Sequence, residues 1–333
     1  MDMICRRIGR KFAKLIHGRK KVGNPFMKKY SFLLILAAGS LWGTMGVFVD
    51  LLTSLGFSTM NAALLRICSA AVMYVIFLLV KDKKLLVIHI RDLWMFIGLG
   101  LLSILSLTCF YFLAIQRTSY SIAAILLYTA PVMVSVMSAI FFKESFTLKK
   151  TIALILAFAG CVLVSGLDRG MSVDIAGFAF GILSGLAYAL YSIFGKAALE
   201  KYHPYTVSAY AFIIAAVGSL IVCDAGSLAS VVKSVERIDL VLLYTLLSGL
   251  ITAFLPFVLY TLGLKYTSPG KAAILASVEP LVATVCGFIK GQALSLGAAA
   301  GIICILAAVF ILTAFSAKSE KAAKNEFPMQ AKK

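Results

Sequence analysis

Charge is what this chain has least of. Aspartate and glutamate together number 14 in 333 residues, and charged residues of both signs make up only 14%, against roughly 25% in a soluble domain. With 61% hydrophobic residues, the composition belongs to a polytopic membrane protein. Histidine is as scarce, with His17, His89 and His203 scattered. Cysteines occur at 5, 68, 109, 161, 223, 286 and 304, yet none forms a Cys-x-x-Cys pair or joins a histidine cluster. They read as small packing residues, so no metal site and no cofactor is expected. No P-loop is present, which argues against direct use of ATP. Missing as well are the Asp-rich or His-rich motif of a lipid-modifying membrane enzyme, the continuous polar path of a channel and the large extramembrane domain of a receptor. The expectation is therefore a carrier and not an enzyme.

What the chain has is apolar runs. A helix needs about 20 apolar residues to cross a bilayer, and ten runs approach that length: 31–52, 59–80, 93–115, 120–142 and 151–166, then 176–199, 204–223, 240–264, 268–289 and 296–315. The fold class expected is all-α and integral to the membrane, with ten transmembrane helices as two five-helix repeats. The domains are a basic tail at 1–29, a first repeat at 30–166, a second at 176–316 and a C-terminal tail at 317–333. In the tail, Ile4, Ile8, Phe12, Leu15 and Ile16 recur at helical spacing among Arg6, Arg7, Arg10, Lys11 and Lys14. That pattern suits an amphipathic helix lying on a membrane surface. The equal alternative is an extension without a role ahead of Met27. Its apolar residues form no continuous core, so it does not read as a cleaved signal.

Lysine and arginine set the direction. With both termini inside, 26 of the 32 basic residues fall on the inner side, five fall outside, and Arg66 lies within a span. This bias predicts cytoplasmic termini in a cell membrane, where anionic headgroups, and not nucleic acid, meet the net charge of +18.

One passage occurs twice, 149 residues apart. Tyr111 to Val132 reads YFLAIQRTSYSIAAILLYTAPV and Tyr260 to Leu281 reads YTLGLKYTSPGKAAILASVEPL, identical at nine of 22 positions. Duplicated membrane units mark secondary transporters, whose halves rock about a site at their junction. Five spans per repeat is an odd number, so the copies must be inverted. The turn Lys143-Glu144-Ser145-Phe146-Thr147 is accordingly largely stripped of charge in the second copy, Lys290-Gly291-Gln292-Ala293.

These features resemble an EamA-type transporter of the drug/metabolite transporter superfamily. The residues that carry the resemblance are Gly39-Ser40-Leu41-Trp42-Gly43-Thr44, Arg66, the apolar segments ending at Pro131 and Pro280, the Lys143–Thr147 turn and Glu279-Pro280. It covers about 30 to 316 and implies ten helices, an inverted repeat, a central cavity shared by both halves, and export of amino acids or related metabolites. Two departures stand out. The family usually has a glutamate where Gln292 or Ala293 stands, and the basic tail is not part of its pattern.

Where the first copy has Ala130-Pro131, the second has Glu279-Pro280. A charged group in mid-membrane costs several kcal/mol and is normally kept for function. Desolvation disfavours the ionised carboxyl, making Glu279 the candidate for proton coupling. Pro280 would also free a carbonyl one turn earlier toward the cavity. The competing reading is a neutral acid hydrogen-bonded between helices. Arg66, about seven residues into its span, could hold a substrate carboxylate, pair with Asp50, or snorkel to the surface. The resemblance places Trp42, Thr44, Tyr111, Tyr128, Tyr188, Tyr191 and Tyr260 around the cavity as substrate-binding candidates, since phenols offer a ring face and one hydrogen bond. Tyrosine is also an interfacial anchor. Lys196 and Lys271 read as snorkelling side chains, and the repeats Gly39-x3-Gly43, Gly177-x3-Gly181-x3-Gly185 and Gly297-x3-Gly301 as close helix contacts. Proton exchange is the first expectation for the energy source, with uniport or solute exchange second. Partners are a small-molecule substrate and the lipid bilayer, and a homodimer stays open.

Overall fold

A computed structural model describes residues 25–118, 120–165, 174–222, 225–291 and 295–326. The basic tail before Pro25 and the uncharged turn at 292–294 lie outside the described residues. Among those described, regular structure is helical throughout. The first repeat holds α1 (Pro25–Gly43), α2 (Met45–Thr53), α3 (Thr59–Lys81), α4 (Leu93–Ile97), α5 (Ser106–Arg117), α6 (Tyr120–Leu127), α7 (Ala130–Phe142) and α8 (Leu148–Ser165). The second holds α9 (Ile175–Leu199), α10 (Pro204–Val222), α11 (Ala225–Ser234), α12 (Ile238–Gly249), α13 (Leu255–Tyr266), α14 (Pro269–Ala276), α15 (Glu279–Ile289) and α16 (Leu296–Glu326).

Several of these are consecutive pieces of one span, so nine helices among the described residues are long and apolar enough to cross a membrane. They match nine of the ten expected runs. The remaining run, 151–166, lies in helix α8, which leads into residues outside the description. Val72, Ile76, Ile140, Ile155, Val217 and Leu220 are each more than half exposed on the outer surface. In water such a belt would mark an interface or an aggregation hazard; around an apolar bundle it is the surface that meets lipid.

The breaks in the helices follow from sequence. Pro131 and Pro280 lack the N–H that would continue the preceding helix, so the span breaks at Tyr128–Thr129 in one repeat and at Ser277–Val278 in the other. The third span of each repeat contains a π-helical stretch, Gly98–Leu105 and Leu250–Phe254. At the 149-residue offset of the duplication the second falls on residues 101–105. Such stretches recur at functional sites. The repeats pack mainly on each other: α9 against α5, α13 against α1, α10 against α3, and α16 against α8.

Glycines let these elements approach closely. A Cβ on Gly39 would stand 2.8 Å from the Ala276 carbonyl oxygen, and one on Gly43 2.5 Å from that of Glu279. The carbonyl that Pro280 leaves without a helical donor is therefore turned against α1, not toward the cavity as its position suggested. Gly160 and Gly301 meet in the same way, each facing the other's carbonyl.

One end of the bundle is basic and closely bonded. There the Glu144 carboxylate accepts from Ser138 Oγ, Ser268 Oγ and the Gly270 N–H, and pairs with buried Lys150 at 3.0 Å. Thr267 Oγ1 donates to Ser31 Oγ at 2.9 Å, and Lys201 pairs with Asp92 at 2.6 Å. Lys196 does not snorkel. Its ammonium donates to the carbonyls of Leu264, Lys265 and Thr267 at 2.8, 3.2 and 3.0 Å, acceptors that the end of α13 leaves without helical donors. Lys196→Met should therefore lower stability by about 1–3 kcal/mol, chiefly the cost of leaving the part-buried Leu264 and Thr267 carbonyls unpaired, measurable as a fall in the thermal midpoint of the detergent-solubilised protein. Lys271 is exposed. At the far end Lys290 pairs with Asp50 at 2.7 Å, and Arg117 with Asp174 at 3.0 Å.

Candidate functional site: a cavity between the repeats

Between the repeats lies a cavity of about 120 Å³. Its wall includes Trp42, Met45 and Val49 from α1 and α2, Ala63 and Arg66 from α3, and Ser103 and Ile104 from the first π-helical stretch. Leu107, Thr108, Tyr111 and Phe112 of α5, Leu127 and Tyr128 at the first helix break, and Tyr188, Tyr191 and Ser192 of α9 continue it. Phe257, Tyr260 and Glu279 complete it. Met45 and Val49 lie five residues and one residue before Asp50, so the cavity extends toward the end opposite the basic one.

An aromatic floor closes it on the other side. Trp42 packs against Phe257, Tyr260 and Tyr188, with ring centroids 5.0, 5.3 and 6.3 Å apart, and Tyr191 packs on Phe257 at 5.0 Å. Hydrogen bonds fix the rings: Ser192 Oγ to the Tyr260 hydroxyl at 2.8 Å, the Tyr191 hydroxyl to Thr261 Oγ1 at 2.9 Å, and Ser208 Oγ to the same Thr261 oxygen at 2.9 Å. Edge-on ring pairs with satisfied hydroxyls are worth more than their area alone, so the floor is rigid. Tyr191 and Tyr260 are 5% and 1% exposed.

Arg66 is held by one arm. Pro256 cannot donate to the carbonyl four residues back, that of Thr252, and Arg66 Nη1 takes this acceptor at 3.1 Å. Its Nε, with Trp42 Nε1 and Ser103 Oγ, is buried without a hydrogen-bond partner. The expected pairing of Arg66 with Asp50 does not occur, because Asp50 belongs to Lys290 on the surface. Glu279 opens α15 directly after the break, where its charge is favoured by the helix dipole. Its carboxylate and the Arg66 guanidinium act on one another electrostatically without forming a contact ion pair. Nor does the Glu279 side chain bond across to another helix among the described residues, as a packing link would.

Of the expected site residues, eight line this one cavity: Trp42, Arg66, Tyr111, Tyr128, Tyr188, Tyr191, Tyr260 and Glu279. Thr44 does not. It stands between α1 and α2, where its hydroxyl donates to the Leu41 carbonyl at 2.7 Å, a local bond that serves the break in the helix. Sequence reasoning missed Ser103, Thr108, Ser192, Met45 and Phe257. Ser103 had one readable signal: it is the repeat partner of Thr252, four residues before a proline in mid-span.

A multi-pass helical membrane protein with a closed-floored cavity shared by two repeats has the architecture of a membrane carrier. The comparison with known proteins makes the class specific. The EamA-like transporter family matches residues 29–166 and 175–314, and the chain belongs to that family. An uncharacterized transporter of Archaeoglobus fulgidus is 31% identical over 85% of this chain and 96% of its own length. The uncharacterized transporter YwfM of Bacillus subtilis is 23% identical over 87% and 96%. A solved crystal structure superposes with a TM-score of 0.72 at 18% identity, covering 87% of this chain and 98% of its own, a likeness of fold.

Proposed function

We propose that this protein is a secondary active transporter that moves small organic solutes, amino acids or related metabolites, out of the cell by alternating access, with Glu279 coupling transport to protons. The observation that carries the reading is the cavity between the repeats, with an acid at a broken helix on its wall and an aromatic floor beneath. Trp42, Arg66 and the five tyrosines bind solute in this scheme. The family and the relatives point to a transporter and away from an enzyme. Uniport or solute exchange in the same cavity is the second reading, favoured by the polar hydroxyls of the floor, which need no proton partner.

The same reading takes α8 as the tenth span, the repeats (30–166 and 176–316) as inverted, and both tails (1–29 and 317–333) as cytoplasmic. It places the protein in the plasma membrane and leaves a homodimer open. The 26-to-five distribution of basic residues supports this orientation. The Glu144 cluster then bars the cytoplasmic side while the cavity extends outward. Burial alone would raise the Glu144 carboxyl, but the Ser138 and Ser268 hydroxyls and Lys150 outweigh it and hold the carboxyl below its usual range. A depressed carboxyl stabilises closure above its unfolded value and loses that contribution only as pH falls through the folded one. The bar should therefore hold across neutral pH and loosen only in acid. Glu144→Gln should loosen it at every pH, read as faster thiol labelling, from the cytoplasmic side, of a cysteine placed at Ala272, which is buried behind the closed bar.

The test of the function uses vesicles carrying the purified protein and a trapped pH dye. Pools of amino acids, amines and small carboxylates are added in turn. A pool-dependent change in internal pH supports a proton-coupled carrier. Labelled solute that moves without such a change supports the second reading, and silence for every pool, with folded protein present, overturns both.

A further inference from the structure

We infer that Arg66, Ser103 and Trp42 form a carboxylate-binding subsite, so that the solute carries one carboxylate on an apolar body. The inference rests on the carrier reading of the same cavity and adds to it which end of the solute binds where.

Three unpartnered polar atoms belong to residues that line this cavity: Trp42 Nε1, Arg66 Nε and Ser103 Oγ. Trp42 and Ser103 are 8% and 1% exposed. Buried donors without partners are costly and rare in folded proteins. All three can donate, and the indole and guanidinium nitrogens can only donate, so the missing partner is an acceptor. One of the donors carries a full positive charge, which selects an anion. Arg66 is set for this role by its Nη1 bond to the Thr252 carbonyl, which fixes the guanidinium and leaves its remaining donors to a planar, two-oxygen group. These donors are covered by their surroundings, so the carboxylate seats as the Ser103 hydroxyl turns to meet it, while the indole keeps its place in the floor.

Charge balance limits the ligand further. The wall holds one cationic residue, Arg66, and one acidic residue, Glu279. A dianion such as a phosphomonoester would leave the cavity net negative whether Glu279 is ionised or protonated. A single carboxylate balances Arg66 when Glu279 is protonated, and the Trp42, Phe257 and Tyr260 rings take the apolar body.

The test is a binding measurement, which needs no transport. Purified protein in detergent is titrated with phenylacetate, its neutral isostere phenylacetamide, phenethylamine and phenylphosphonate, read by tryptophan fluorescence and by thermal shift. Phenylacetate should bind about tenfold or more tightly than phenylacetamide, the scale of a hydrogen bond to a charged group. The ratio should collapse toward unity in Arg66→Gln and shrink in Ser103→Ala. Equal binding of acid and amide by the natural protein would overturn the inference, as would tighter phosphonate binding, or binding of the amine alone, or no binding of any probe. Should Arg66→Gln fail to fold, Ser103→Ala and the four-probe ranking still decide it. Discrimination without any solute movement in vesicles would keep the subsite and defeat the carrier reading.

Discussion

Glu279→Gln should abolish solute-dependent proton movement while leaving the protein folded and solute exchange partly intact. Glutamine keeps the size and the hydrogen-bonding oxygen of the side chain and removes only the titrating group. Among the described residues no other helix takes a bond from the Glu279 carboxyl, and Arg66 does not contact it as an ion pair, so the variant costs Arg66 only a through-space attraction. Arg66 keeps its Thr252 carbonyl at 3.1 Å. Internal pH in dye-loaded vesicles should then stay at the level of protein-free controls, while exchange of labelled solute across the same membranes persists. Loss of the folded protein in this variant would instead make Glu279 a structural residue. Retained proton movement would place coupling elsewhere.

The second large effect is expected at Gly43. A Cβ there would stand 2.5 Å from the Glu279 carbonyl oxygen and 2.6 Å from Val282 Cβ. The first contact is backbone at the start of α15, which cannot rotate away. Gly43→Ala should cost about 1–3 kcal/mol, as overpacking does elsewhere, and should move the helix that carries Glu279. Transport should fall more than the loss of folded protein explains. Gly46 provides the control, because nothing lies within 4 Å of a Cβ there. Gly46→Ala should be neutral, or stabilising by up to about 1 kcal/mol through helix propensity. Thermal midpoints and flux, both measured on the purified variants, separate the two positions.

Much of this site was legible in the sequence, because its signals are local or repeat. The duplication marks the two prolines where spans break, and an acid beside one of them in an apolar run stands out without any structure. Among the aromatic residues, Tyr111 and Tyr260 sit at matching places in the two copies. What escaped depends on which neighbour a side chain meets. Asp50 is no farther along the chain from Arg66 than many true partners, yet the kink at Thr44 carries it to Lys290. Lys196 looks like a snorkelling lysine until the end of α13 is seen to present three carbonyls to it. The π-helical stretches have no pattern in hydropathy, so the turn that brings Ser103 to the wall could not be read from its apolar surroundings. Nor does the sequence show that Pro256 leaves a carbonyl waiting for Arg66.

The central claim is that one cavity serves both sides of the membrane in turn, and counterflow tests it most directly. Vesicles holding the protein are loaded with a high concentration of an active, unlabelled solute, and a trace of the labelled solute is added outside. Alternating access requires the label to accumulate transiently inside above its outer concentration, driven by exit of the unlabelled pool, and the overshoot should vanish without preloading. A flux that equilibrates linearly, never overshoots and never saturates would contradict the account and describe a pore instead.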